Sequence, residues 1–502
     1  MNLPPFLRKR AGLVFGLPFY PRTLQAQPPA TLALGPADPW PGDAERAQRL
    51  VSNTSVLENP HDFAELADIR AFADPIANAW AKQRLRAWLD RHVRWSEAAW
   101  APEAIGARLA NWLKHAPWLL DDAPPGLTQD LKNSAALQAR HLARTLDWTD
   151  EGRPRLLAAK GLLLWALAES NESLLALAAA CLSKELPIQI HPDGGHISRS
   201  PAVHLDILKD LIDLKIWLNG ANRELPEGLQ NALDRMGPML RFWRIGDGTL
   251  AHFNDTGHVS AAHVSLALAL CGNRGKPLNS APHSGFERMT AGRTLLILDA
   301  GKPALDKHAH AGTLSFELSV GKQRIVGNMG MAPESQRDWR AALKHTAAHS
   351  TVTAGNTDCM PKSVTVERQE DQGAVWINAS HDGYKISHGL IHRRRLHLDA
   401  PGTALKGEDS LEGKEGVEVA LRFHLDPSVH AALSQDAKVV LLKLGDGAGW
   451  RFRAKGALIE MEQSAFKSGD EPPRRSQQIV LKGLTGPGGA LVKWAFDSLG
   501  KR

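Results

Sequence analysis

From about residue 73 to residue 243, apolar residues recur at three- and four-residue steps, the spacing that gathers them on one face of a helix. In the segment 76–95 the repeat runs through Trp80, Leu85, Trp88 and Leu89, with Arg and Lys between them. Segments 106–120, 127–148, 155–168, 173–182, 201–218 and 229–243 repeat it, which predicts about seven helices joined by short breaks. After about residue 290 the period becomes two. Residues 313–320 alternate strictly, as a half-buried strand requires. Runs at 293–298, 323–326, 350–352, 374–378, 396–398, 417–424, 439–444, 450–454, 478–481 and 490–494 follow. Many stand at roughly the 8–12-residue spacing of an antiparallel sandwich, with Gly and Asp at the turns, as in Gly445-Asp446-Gly447. The stretch 271–286, rich in Gly, Asn, Pro and Ser, reads as a linker. The pattern therefore predicts an α+β chain in two parts, a helical domain over residues 1–275 and a β-sandwich over 285–502.

Composition narrows the class without changing that picture. The 502 residues suffice for two to four domains at about 100–200 residues each. Hydrophobic residues at 43% and charged residues at 23% exclude collagen-like, low-complexity and coiled-coil chains. Eleven of the 15 Trp precede residue 250, which suits large side chains packed between helices. Cys181, Cys271 and Cys359 stand 90 and 88 residues apart, excluding a disulfide framework and a Cys-x-x-Cys motif, and read as buried thiols. No apolar run approaches the ~18 residues of a membrane-spanning helix. Arg8-Lys9-Arg10 precedes an apolar stretch over 11–20, and Leu24-Gln25-Ala26 resembles a signal cleavage site, but Pro18 and Pro21 interrupt the stretch. Secretion and a cytoplasm-facing chain both stay open. A net charge of +6 favours anionic partners, yet the basic residues are scattered, with no nucleic-acid recognition motif or basic stripe. An acidic glycan or envelope polymer is the expected partner.

Three segments carry candidate chemistry. In the first, 191–206, Ser200 predicts an N-cap and Pro201 a first helical residue, so the preceding Gly194-Gly195 loop faces the positive end of a helix. His196, Arg199 and His204 stand near enough to hold and protonate an acidic ligand there; a Gly-Gly turn with surface histidines is the plain alternative. In the second, 246–258, a dense run of polar residues with His252 and Asn254 surrounds Phe253, a mixture suited to a sugar subsite or, equally, to a polar linker. In the third, His308 and His310 precede the strand at 313–320; if the extended backbone continues back to them, they share the core-directed face of Leu314 and Phe316. His349 opens another strand. These histidines suggest either a divalent metal, zinc or calcium, with His308 and His349 as ligands, or paired structural histidines.

The segments 193–201, 308–318, 346–352 and 388–397 together resemble the heparinase II/III-like family, in a proteobacterial branch, over most of the chain. The resemblance implies an incomplete (α/α) toroid followed by an antiparallel β-sandwich, with a catalytic cleft between them. It also implies a carbon-oxygen lyase that cleaves a uronate polysaccharide by β-elimination in the cell envelope or periplasm. One group neutralises the uronate carboxylate, a base removes the adjacent proton, and an acid protonates the departing oxygen. On that resemblance Arg199 is the candidate neutraliser and His196 and His310 are the candidate proton-transfer groups. His204, His252, Asn254, Asn171 and Glu172 are the candidate substrate contacts.

The chain departs from the lyase pattern in three places. Glu172 follows Asn171 where a histidine is expected, Val203 stands where a catalytic tyrosine is expected, and Gly312 replaces the carboxylate of a His-x-His-x-Asp pattern. Only two tyrosines exist, Tyr20 and Tyr384. The alternative function is a non-catalytic anionic-glycan-binding or envelope-assembly protein that keeps the lyase fold.

Overall fold

The computed structural model describes residues 13–24, 26–57, 59–272 and 275–500. Arg8-Lys9-Arg10, Gln25 and, within the expected linker, Asn273 and Arg274 lie outside the described residues. The chain forms two compact units, Met1–Gln189 with Ile207–Leu233, and Ile190–Asp206 with Asp234–Arg502. The pattern of the sequence changes near residue 280, but residues 190–206 and 234–260 already belong with the sandwich, where Arg199 pairs with Asp299 and the His252 amide donates to Glu317.

In the first unit, helices Pro75–Arg91, Pro102–Leu119, Leu127–Thr145, Arg153–Glu169 and Glu172–Gln189 follow the predicted periodicity. Helices Pro201–Gly220 and Leu229–Trp243 continue it across the division of the chain. Asp74 caps the first of these by accepting from the Ile76 amide at 2.7 Å, with Pro75 in the first turn. Two helices touch backbone to backbone at Gly106 and Gly161, where a Cβ on either would come within 2.1 Å of a carbonyl oxygen. Phe63, Trp88 and Trp112 meet edge to face, and the Arg108 guanidinium lies 4.2 Å above the Trp88 ring. Glu172–Gln189 outruns the predicted 173–182 because its polar residue Glu185 is buried on Arg155 at 2.7 Å.

A buried ion network ties this unit together. Lys160 donates to Asp210 at 2.6 Å and to Asp213 at 2.7 Å, while Lys114 reaches Asp213 at 3.0 Å and Asp38 at 2.9 Å. Trp40 Nε1 donates to the other Asp213 oxygen at 2.7 Å. Burial would raise the Asp213 carboxyl, but Lys160 and Lys114 outweigh it and hold the group well below the usual carboxylate range.

The second unit is built on two antiparallel sheets. Among the described residues the first has nine strands. Its order is Ser280–Ala281, Phe286–Ala291, Thr294–Asp299, Phe316–Val320, Gln323–Gly327, Glu418–Leu425, Arg474–Leu484 and Leu458–Phe466, with Val352–Ala354 also paired to Glu418–Leu425. The second runs His430–Leu433, Val439–Lys443, Gly449–Lys455, Ala490–Ser498, Ala404–Gly413, Leu390–Leu398, Ala374–Tyr384 and Val364–Asp371. Phe316 stacks on Trp494 at 5.6 Å in the shared core, with Phe423, Phe452 and Phe496 around them.

A polar chain runs through that core. Asp409 accepts from His392 Nε2 at 2.7 Å, Arg394 Nε at 2.8 Å and Trp494 Nε1 at 2.7 Å; His392 Nδ1 meets His381 Nε2 at 3.1 Å, and His381 abuts the Cys359 thiol. Burial pushes the Cys359 thiol far up, so it is an unreactive core residue. The Tyr384 hydroxyl donates to the Val352 carbonyl at 2.5 Å inside the same core.

Two local expectations are corrected. Phe316–Val320 is not half buried, since Glu317 and Ser319 on its polar face are only 2% and 3% exposed. The extended backbone also does not continue back to His308, because Leu314 has φ 61° and turns the chain ahead of the strand.

Candidate functional site

The carboxylate of Asp255 is the hub of the sandwich unit's polar network. Its Oδ2 meets His308 Nδ1 at 3.2 Å and its Oδ1 meets His310 Nε2 at 3.1 Å, while the Arg340 guanidinium closes a third side. Arg340 is brought in by the helix Arg337–Lys344, whose existence the periodicity did not reveal. Burial would raise the Asp255 carboxyl, but hydrogen bonds from both histidines and the charges of His310 and Arg340 hold it well below the usual range. The backbone is strained here, with Asn254 at φ 46° and Asp255 at φ 58° in the left-handed region. Asn254 holds that conformation by donating to the Arg199 carbonyl at 3.0 Å and accepting from the His310 amide at 3.2 Å.

Arg199, also left-handed at φ 57°, is the second anchor. Its guanidinium bonds the carboxylate of Asp299 and the carbonyl of Lys302, and donates to the carbonyls of Ser284 at 2.7 Å and Gly285 at 3.1 Å. It also lies 4.8 Å above the Phe286 ring. With a side chain 7% exposed and these partners on every side, it ties loop to sheet and presents no open cation to a ligand carboxylate.

The Gly-Gly loop is equally closed. Asp193 accepts the amide of Ser284 at 2.7 Å and its hydroxyl at 2.6 Å, and a Cβ on Gly195 would lie 1.9 Å from that hydroxyl oxygen. Glycine is needed there for close approach. Ser200 caps the following helix as predicted, accepting from the Val203 amide at 3.4 Å, and Thr256 takes the Ala202 amide at 3.1 Å. The amides expected to greet an anion are therefore satisfied internally.

Each of the remaining predicted residues has its own local partners. His196 is buried, its Nδ1 accepting from the Ser198 amide at 3.2 Å, which assigns the ring proton to Nε2. His204 faces the Met236 carbonyl at 3.0 Å and the Trp243 ring, and burial lowers its pKa to about 4. His252 Nδ1 meets Arg324 at 2.7 Å beside the buried Glu317, whose carboxyl burial raises to about 7 despite Arg324. Asn171 is a helix cap, accepting from the Leu174 amide at 3.1 Å, and Glu172 pairs with Arg223 with its side chain 65% exposed. Both belong to the first unit, Asn171 at a helix start and Glu172 on its surface.

Nor do His308 and His349 form a ligand pair. His308 is held by Asp255, whereas the His349 ring packs against that of His310, centroids 5.2 Å apart, and fills the space beside Gly312, where a Cβ would lie 3.1 Å from its Cγ. Burial, and after it His310, push His349 well below the ordinary histidine pKa. The Asp255 oxygens already serve His308, His310 and Arg340, and no group of three or more potential ligands is poised for a metal among the described residues. The described side chains around Asp255 and His349 do not fit a zinc or calcium site.

The chain belongs to the heparinase II/III-like family, whose C-terminal profile matches residues 273–495. It is 31% identical over 93% of its length, and 90% of the relative's, to the FtsZ-localized protein C of Caulobacter vibrioides, and shares that protein's family. Among solved structures, heparinase III superposes with a TM-score of 0.73 at 15% identity, covering 92% of this chain and 78% of that one. The heparan sulfate lyase HepC of Pedobacter heparinus gives 0.65 at 15% identity, covering 96% and 87%. At these identities the likeness establishes the fold, a helical toroid followed by a β-sandwich.

Proposed function

We propose that this chain is a non-catalytic member of the lyase fold, an envelope-assembly protein that collects where FtsZ assembles. The observation that carries the first half is the engagement of Arg199. A uronate neutraliser must meet its carboxylate with an available cation, and this guanidinium is already neutralised by Asp299 and enclosed by carbonyls. The tyrosines give the same reading, since the Tyr384 hydroxyl is spent on a core carbonyl and Tyr20 bonds His141 at 2.7 Å. The second half rests on the relative, named for its localization with FtsZ, which matches nearly the whole chain. An acidic polysaccharide is the glycan this fold suggests, as a bound partner rather than a cleaved substrate.

The test is microscopy of the full-length chain as a fluorescent fusion in its own cells, beside labelled FtsZ. Coincident signal at the envelope is expected throughout FtsZ assembly. A distribution indifferent to FtsZ would sink the assignment.

One observation favours a retained elimination activity. The Asp255 carboxylate holds His308, whose side chain is 19% exposed, through its Nδ1 at 3.2 Å. That reading requires His308 to act as the base with no tyrosine, and it predicts unsaturated uronyl products that vanish in His308→Ala.

A further inference from the structure

At the far end of the strand Phe316–Val320 from the histidines, the sandwich unit holds a cavity of about 700 Å³ that the proposed function does not use. The strand separates the two places by roughly 17 Å of extended chain, at about 3.3 Å per residue. Arg241, Arg244, Arg288, Arg293 and Lys322 line the cavity against a single lining carboxylate, Asp446. That carboxylate is turned into its own loop, accepting from the Ala448 amide at 3.0 Å. The close approach of two turns shapes the wall, since a Cβ on Gly246 would lie 1.6 Å from the Gly321 carbonyl oxygen.

The guanidinium of Arg288 is the informative group. It projects from the strand Phe286–Ala291 on the same face as Phe286, and its Nε is buried with no hydrogen-bond partner. Burial alone lowers its pKa to about 10, with no carboxylate raising it. A half-buried guanidinium with an unpartnered buried Nε is costly, and Arg244, Arg293 and Lys322 add positive charge beside it. Arg244 donates to Ser265 at 3.1 Å, a neutral partner, while Arg293 and Lys322 stand exposed at the mouth. A single carboxylate would offset one of the four positive charges of Arg244, Arg288, Arg293 and Lys322, whereas linked phosphoryl groups carry several and accept from planar guanidinium forks. The volume falls within the ~300–1,000 Å³ of small-ligand sites.

We infer that this cavity binds a small ligand carrying two or more linked phosphoryl groups, through Arg244, Arg288, Arg293 and Lys322. The same chemistry occurs in a soluble polyphosphate ester and in a phosphorylated lipid headgroup.

Calorimetric titration of the full chain with inorganic tripolyphosphate tests it. Saturable one-to-one binding is expected, weakened about tenfold or more by Arg288→Met and by the surface double variant Arg293→Ala/Lys322→Ala, which removes no buried group. Sedimentation with vesicles of anionic phospholipid, against neutral ones, distinguishes the sources: binding lost in the same variants supports the shared chemistry in lipid form. Absence of saturable binding to both probes would overturn the inference. So would binding unchanged in the surface double variant, or tighter binding of an oligoglutamate peptide than of tripolyphosphate.

Discussion

At the scale of single residues, Asp255 decides whether the polar network holds. Asp255→Ala leaves His308, His310 and Arg340 without their common anion. We expect a loss of about 3–5 kcal/mol in denaturant unfolding, the cost of breaking a buried pair by removing one partner. An unchanged midpoint would mean that the hub has no structural weight. The sequence made the histidines visible, because His308-Ala309-His310 and the polar 246–258 loop stand out locally. It hid Asp255 as their partner and Arg340 as its counter-ion, since those contacts join residues 53 to 85 positions apart. Arg199 was legible as a charged loop residue, but not that Asp299, a hundred positions away, had already neutralised it.

At the scale of elements, periodicity located most helices to within a few residues, because each buries one face and repeats its apolar positions accordingly. It failed where both faces are buried or neither is. The alternation along Phe316–Val320 suggests a half-buried strand because Glu317 and Ser319 look solvent-facing, yet Arg324 accompanies Glu317 inside. The edge strand Val364–Asp371 is mostly exposed and carries Glu, Arg, Gln and Asp, so it offered no alternation to find. The helical unit makes its own prediction. Lys160 sits at the centre of an ion network that spaced, ordinary-looking charges did not announce. Lys160→Met should lower stability by about 3–5 kcal/mol, because Asp210 and Asp213 lose a buried cation. Chemical unfolding followed by circular dichroism measures it, and a neutral result would show that Lys114 alone balances Asp213.

At the scale of the whole molecule, buried histidines set the response to pH. Burial lowers His115, His141, His204 and His424 to about 4 each. Their folded values lie below the unfolded value of about 6.5, so the unfolded chain binds more protons between those limits. Stability from these groups is complete above pH 6.5 and falls as pH drops through the window. Glu65 and Glu317, raised to about 7 by burial, act oppositely, giving stability that is lost as pH rises through 7. The histidines outnumber them, so melting should fall by several degrees from pH 7.5 to pH 5. A flat or rising melting temperature would contradict the neutral buried state of the histidines.

The central claim is that a lyase fold has been kept without its elimination chemistry. Ultraviolet absorbance of unsaturated uronyl products tests it most directly, with the purified full chain incubated against heparan sulfate, chondroitin sulfate and other uronate polymers. The account predicts no rise above the enzyme-free rate on any polymer. A sustained rise that tracks the protein through purification and disappears in His308→Ala would contradict it.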